Sequence, residues 1–301
     1  MNYDKVNGDV AFKEDGHKYF NLKDDTIKYT SVTTLIEKFG QDFDSNFVSK
    51  YKALEKLLPS NDWKKVKGEI WKSHKITNDF LEAYDIDESE LNKVQQDILD
   101  EWSKINKESC ERGTKIHAQL ENSFYKAGNN VNLSKFGIGG KFVCKKDYSD
   151  LDLDYGVYPE YLIYYDNPKL GIHIAGQIDL LIKNGNEIMI LDWKTNKKID
   201  TKSFYNQSTR STTKMKYPLT NLDDCNLNHY YLQLSTYAWM LQKLNPDFII
   251  KTLKIVHFDH DNNQTIYDVP YLREDVERML KYHAKQLKLE KQKAKYAHVD
   301  Y

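Results

Sequence analysis

Residues 176–194 read Gly-Gln-Ile-Asp-Leu-Leu-Ile-Lys-Asn-Gly-Asn-Glu-Ile-Met-Ile-Leu-Asp-Trp-Lys. Residues 174–182 and 187–193 are rich in β-branched and apolar side chains, and Asn184-Gly185 stands between them. Asn-Gly is a strong hairpin signal, because both central residues of a type I′ turn need positive φ. With that two-residue loop, Lys183 faces Asn186 and Asp179 lies opposite Ile190. Asp192 is then the diagonal neighbour of Asp179 on the same face, roughly 7–8 Å away. A slip by two residues would put Asp179 directly opposite Asp192, and a slip by one would break the shared face. Side chains alternate along a strand, so Asp192 and Lys194 point one way and Trp193 the other. Residues 188–191 are apolar on both faces, the mark of a central strand. Ionised groups at the end of such a strand need pairing or a metal. The arrangement suits a divalent cation and a phosphodiester; the plainer alternative is a salt bridge between Lys194 and an aspartate at the strand edge.

Outward from this hairpin, residues 157–165 form a preceding strand, 228–244 a helix aligned on Tyr230, Leu234, Tyr237 and Leu241, and 250–258 a further strand. A long helix spans about 271–296 and carries a run of lysines that could track phosphates. Residues 196–227 are a long polar insert, a candidate rim over the site, and 128–156 an irregular or short β excursion. On the N-terminal side, residues 9–21 resemble a hairpin turning at Asp15-Gly16. Ser31 and its neighbours cap a short helix through Leu35 and Ile36. Residues 45–58 and 61–84 are expected to be helical, divided by Pro59, with another helix from about 89 to 109. Gly113-Thr114 marks the start of a separate helix to 126, where His117 and Glu121 share one side. Three divisions result: a hairpin and helical lobe over 1–110, a core over 111–260, and a basic helix over 261–301 packed on that core.

The chain has 301 residues, enough for a sizeable core, and a formal net charge of −1, so no global field draws it to nucleic acid. Its three cysteines, Cys110, Cys144 and Cys225, have no metal or redox spacing. No apolar run reaches the length of a membrane span and the N-terminus lacks signal-peptide features, so an intracellular protein without a membrane partner is expected.

Five short motifs then fall in a meaningful order: Gly113-Thr114-Lys115-Ile116-His117, Pro159-Glu160, Gly176-Gln177-Ile178-Asp179, Asp192-Trp193-Lys194-Thr195 and Gln233-Leu234-Ser235-Thr236-Tyr237. Over roughly residues 111–258 they resemble the PD-(D/E)XK nuclease superfamily, and within it the RecB-like exonucleases of phage-encoded or mitochondrial type. Ile178 stands where the nominal proline precedes the first aspartate, and the four cysteines that hold an iron–sulfur cluster in some relatives have no counterparts.

The resemblance implies an α/β, restriction-endonuclease-like core: a helix, a three-stranded antiparallel meander, a helix and a strand, with an added N-terminal helical lobe. It implies a metal-dependent DNA exonuclease that hydrolyses phosphodiester bonds in phage or organelle DNA replication, recombination or repair. The rivals are a structure-specific endonuclease of the same superfamily and a non-catalytic DNA-binding recombination module. His117, Asp179, Asp192 and the Trp193 carbonyl would ligate Mg²⁺ or Mn²⁺. Lys194 would act on the attacking water, and Glu160 would be a further ligand or position water. Gln233 and Tyr237 would hold the scissile strand or the lysine, although Tyr237 also fits plain core. The partner would be single-stranded DNA or DNA ends, with a helicase, polymerase or single-strand annealing protein alongside.

Overall fold

A computed structural model describes residues 3–146, 153–206 and 210–297. Residues 147–152, part of the expected β excursion, lie outside the described residues. The elements run β1 (Lys5–Asn7), β2 (Val10–Lys13), β3 (Lys18–Asn21), β4 (Thr30–Ser31), α1 (Val32–Glu37), α2 (Ser45–Leu57), α3 (Ser60–Ser73), α4 (Asn78–Ala83) and α5 (Glu88–Ala127). Then come β5 (Val131–Asn132), β6 (Lys141–Phe142), β7 (Gly156–Asn167), β8 (Ile172–Asn184), β9 (Glu187–Lys194), β10 (Tyr205–Asn206) and β11 (Ser211–Thr212). The chain closes with α6 (Asn226–Leu244), β12 (Ile249–Phe258), β13 (Gln264–Asp268) and α7 (Arg273–Ala297).

Two compact units divide the chain: Met1–Gln41 with Lys115–Tyr301, and Asp42–Thr114. The second unit is helical, and Phe47, Leu54, Trp63, Ile70, Leu81, Leu91 and Ile98 form its core. The helix expected over 61–84 is broken: His74 adopts a left-handed φ of 55°, and Thr77 restarts the chain by capping the N–H of Phe80. The expected boundary at Gly113 is absent, because α5 is one unbroken helix of 40 residues. A glycine inside a helix costs only about 1 kcal/mol, which its helix-forming neighbours offset.

The first unit is an α/β fold built on a mixed sheet in the order β13-β12-β9-β8-β4, with β7 also paired to β8. The meander β7-β8-β9 is antiparallel, while β12 joins β9 in parallel after the α6 crossover. This is the expected order of helix, three-stranded meander, helix and strand, with further strands added. Leu180, Ile182, Met189, Leu191 and Trp193 pack on one face with Phe124 of α5. Ile174, Ile188 and Ile190 pack on the other with Leu234, Tyr237 and Leu241 of α6. The two helices thus dock on opposite faces, and both reach the end of β9 where its polar residues stand.

The hairpin register differs from the expectation by two residues. Asn184 pairs with Glu187, so the loop is Gly185-Asn186, with Gly185 at φ 59°. Glycine at the first loop position with positive φ is the type II′ pattern. The ladder ends at Leu180↔Leu191; one step further, Asp179 stands opposite Asp192. An even slip leaves the parity between Asp179 and Asp192 as expected.

The insert at 196–227 is more than a polar rim: Ile199, Met215 and Leu219 are buried in the main core. In α7, Val276, Met279 and Leu280 pack into that core, and residues 288–295 are exposed.

Candidate active site

At Asp179 the ladder between β8 and β9 gives way to side-chain chemistry. The Trp193 N–H donates to Asp179 Oδ2 at 2.6 Å. Trp193 turns its ring into the core, 5.3 Å from Phe136 and 6.2 Å from Phe124 between ring centres. Phe124 belongs to α5, so this packing also docks the helix that carries His117 against the sheet.

His117 Nδ1 lies 3.3 Å from Glu160 Oε1 and 3.7 Å from Asp179 Oδ1. Its Nε2 is 3.2 Å from the Trp193 carbonyl, which can only accept, so Nε2 carries a proton. That contact leaves Nδ1 as the nitrogen facing the carboxylates. One ligand atom each from His117, Glu160 and Asp179 lies within 4.8 Å of the others. The Trp193 carbonyl, expected at a metal, is thus engaged by the histidine.

Glu160 reaches the cluster through an irregular backbone. β7 pairs with β8 at Pro159↔Leu180 and Tyr161↔Ile178, and Glu160, between them, has φ 48°. Alternation reverses around it: Tyr158 and Tyr161, three residues apart, share one core. A non-glycine residue in the left-handed region costs on the order of 1–2 kcal/mol, and such strain concentrates at functional sites.

Asp192 and Lys194 stand on the α6 side. Lys194 Nζ is 2.6 Å from Asp192 Oδ2 and donates to Gln233 Oε1 at 3.0 Å. The Gln233 amide donates back to Asp192 Oδ1 at 3.2 Å and contacts the Tyr237 hydroxyl at 3.4 Å. Gln233 therefore bridges the lysine and the aspartate. Tyr237 is buried, and its ring lies against Gly176, where a Cβ would stand 2.6 Å from Tyr237 Cε1. The glycine of the Gly176–Asp179 motif and the tyrosine of the Gln233–Tyr237 motif are one packing contact.

Burial pushes Asp179 upward, opposed by His117 and reinforced by Glu160. Burial likewise lifts Asp192 to about 6, against the pull of Lys194. Burial alone would lower His117, but the Asp179 charge and Glu160 raise it to about 9. Lys194 is raised too, since Asp192 and Asp179 outweigh its burial. Without a cation the histidine proton and the lysine are the positive charges that balance this site.

The donor set fits a hard divalent cation: carboxylate oxygens with one imidazole suit Mg²⁺ or Mn²⁺. Asp192 Oδ2 is buried and held by the Lys194 ammonium at 2.6 Å.

Two contributors were hidden in the sequence. Lys5 Nζ of β1 bonds Glu121 Oε1 at 3.0 Å and the Glu160 carbonyl at 3.1 Å; Glu121, one turn beyond His117, is thereby tied to the opening strand. Tyr230 places its ring 4.5 Å under Lys194 Nζ and donates its hydroxyl to Asn196 at 2.9 Å. Tyr230 sits three residues before Gln233, a spacing that puts both on one helix side; nothing local marks Lys5.

A model of the PD-(D/E)XK nuclease superfamily matches residues 34–298. No curated protein matches the chain. Among solved structures, a protein called SSO0001 is 16% identical over 62% of this chain, with a TM-score of 0.32. The matched part spans 63% of that protein's own length. A "Putative exonuclease" from Eubacterium rectale is 10% identical, with 86% of this chain and 79% of that one covered and a TM-score of 0.30. Structural likenesses this slight carry no weight for fold or activity.

Proposed function

This chain belongs to the PD-(D/E)XK nuclease superfamily, and from that premise we propose that it is a metal-dependent DNA exonuclease of the RecB-like branch. The observation that carries the reading is the convergence of His117, Glu160 and Asp179 within 4.8 Å, beside a buried lysine tied to Asp192 and Gln233.

His117, Glu160 and Asp179, with Asp192 as a further oxygen donor, would hold Mg²⁺ or Mn²⁺. A bound ion supplies the positive charge that polarises a phosphodiester and makes water nucleophilic at neutral pH. Lys194 keeps its proton because Asp192 and Asp179 raise it against its burial. It therefore acts as a donor, orienting the attacking water and offsetting charge as it grows on the phosphoryl oxygens. Gln233 fixes the ammonium by accepting from it while donating to Asp192. Tyr237 packs behind Gln233 and holds the amide rather than the DNA. The motif resemblance supports a setting in phage or organelle DNA replication, recombination or repair inside a cell, acting on DNA ends with a helicase, polymerase or annealing protein.

The test is degradation of end-labelled single- and double-stranded DNA and of covalently closed circular DNA, with Mg²⁺, Mn²⁺ or EDTA. Short products released from labelled ends, an intact circle and silence in EDTA are expected. Cutting of the circle would replace the exonuclease reading with an endonuclease. Metal-dependent binding without any cleavage would make the chain a non-catalytic module.

A further inference from the structure

We propose that Lys5, on the opening strand, is a positioning residue for the metal cluster: it holds the Glu160 backbone in the left-handed conformation that turns its carboxylate toward His117 and Asp179. This rests on the metal-site reading above.

β1 is short, yet it is fastened to β7 with a constant register through side chains. Lys5 Nζ donates to the Glu160 carbonyl at 3.1 Å, and Asn7 Nδ2 donates to the Leu162 carbonyl at 2.7 Å. Alternate residues of one strand thus meet alternate carbonyls of the other, each pair 155 residues apart. β7 pairs through its backbone with β8, and side-chain donors reach these two carbonyls instead of another ladder. Asn7 is fully buried, which anchors the register.

Within that register Lys5 meets the one non-glycine residue of β7 with positive φ. Glu160 lies between Pro159 and Tyr161, both paired with β8, and the register is the same on either side of it. Without an outside partner, a glutamate relaxes toward the extended conformation of its neighbours. The Lys5 ammonium opposes this by bonding the displaced carbonyl. It is itself immobilised: its side chain is 23% exposed and it pairs with Glu121 Oε1, which also accepts from Tyr125. The pairing with Lys5 occupies Glu121 while Glu160 stays with the histidine. One lysine on the opening strand therefore holds the Glu121 carboxylate and the Glu160 backbone carbonyl at once.

The experiment titrates Mn²⁺ calorimetrically into the full chain without DNA, for wild type, Lys5→Met, Lys5→Arg, Glu160→Gln and the double variant Lys5→Met/Glu160→Gln. Lys5→Met should weaken Mn²⁺ binding by about tenfold or more, as loss of an outer-shell partner does. Lys5→Arg, which keeps charge and donors, should recover most of that loss. In the Glu160→Gln background, Lys5→Met should add little, because the ligand it positions is already gone. If Lys5→Met fails to fold, Lys5→Gln takes its place in the same cycle. Equal Mn²⁺ affinity in wild type and Lys5→Met overturns this proposal alone. Independent, additive losses do so as well, since they would mean Lys5 acts other than through Glu160. Absence of Mn²⁺ binding by wild type overturns the metal-site reading itself and this proposal with it.

Discussion

Gly176 and Tyr237 touch so closely that a Cβ on the glycine would lie 2.6 Å from Cε1 and 2.9 Å from the hydroxyl oxygen of the tyrosine. The tyrosine is in turn 3.4 Å from the Gln233 amide that joins Lys194 to Asp192. Gly176→Ala should therefore displace the Tyr237 ring and, through Gln233, the lysine. Overpacking of this kind costs about 1–3 kcal/mol, read as a lower Tm, together with a fall in kcat. Adding Tyr237→Leu to Gly176→Ala should restore part of the Tm without restoring activity. Equal Tm in wild type and Gly176→Ala would show that the ring has room to move.

Gln233 makes a prediction of opposite electrostatic sign. Gln233→Leu removes both bonds and should lower kcat by roughly 10–100-fold, the cost of about 1.4–2.8 kcal/mol in the transition state. Gln233→Glu keeps the acceptor for Lys194 but sets a second carboxylate beside Asp192 Oδ1, where the amide now donates at 3.2 Å. Like charges at that distance raise the carboxyl pKa further. The acidic limb of the pH–rate profile should move to higher pH in Gln233→Glu and by less in Gln233→Leu, which only removes the amide's donation to Asp192.

The pair Asp192 and Lys194 could be read from the sequence because strand alternation is local and a lysine two residues from an aspartate must share its face. The facing aspartate was legible only up to register. Asn184-Gly185-Asn186 offers two possible two-residue loops, and the chain uses Gly185-Asn186, which sets Glu187 opposite Asn184 instead of Ile182. His117 could be placed by motif but not its nitrogen, which the Trp193 carbonyl selects. The left-handed Glu160 leaves no trace in residue type, since the preference there is for glycine or asparagine. Lys5 is invisible for a different reason: its partners stand 116 and 155 residues away, and such contacts follow from tertiary packing alone.

Stability without metal should fall as pH rises, with the site as one source. Asp192 is raised by burial to about 6 in the folded state, so folding holds its proton more tightly and its ionisation destabilises between about pH 4 and 6. His117, with burial opposed by Asp179 and Glu160, is raised to about 9. Its stabilisation is complete below about pH 6.5 and is lost as pH rises through about 9. Each effect is on the order of a few kcal/mol. Metal binding needs the Nδ1 lone pair, so the gain in Tm on adding Mn²⁺ should grow from pH 6.5 to 9. Melts at several pH values, with Mn²⁺ or EDTA, check this. A gain that stays flat with pH in wild type, or still grows in His117→Gln, would remove the histidine from the account.

Tyr230 gives the narrowest prediction, because its two contacts can be separated. The ring lies 4.5 Å beneath the Lys194 ammonium, and the hydroxyl donates to Asn196 Oδ1 at 2.9 Å. Asn196 is also held at its carbonyl by His257 Nε2 at 2.7 Å, so the loop after β9 has a second anchor. Tyr230→Phe keeps the ring and loses only the hydroxyl bond. Tyr230→Leu keeps apolar bulk but removes the face on which the ammonium rests. A desolvated cation over an aromatic ring is worth about 1–2 kcal/mol, so Tyr230→Leu should lower kcat roughly 5–30-fold while Tyr230→Phe stays within about 2–3-fold of wild type. Mn²⁺ affinity should change little in either, because Tyr230 touches the lysine and not the His117 cluster. If both variants lose activity equally, the hydroxyl and the loop it holds, rather than the ring, orient Lys194.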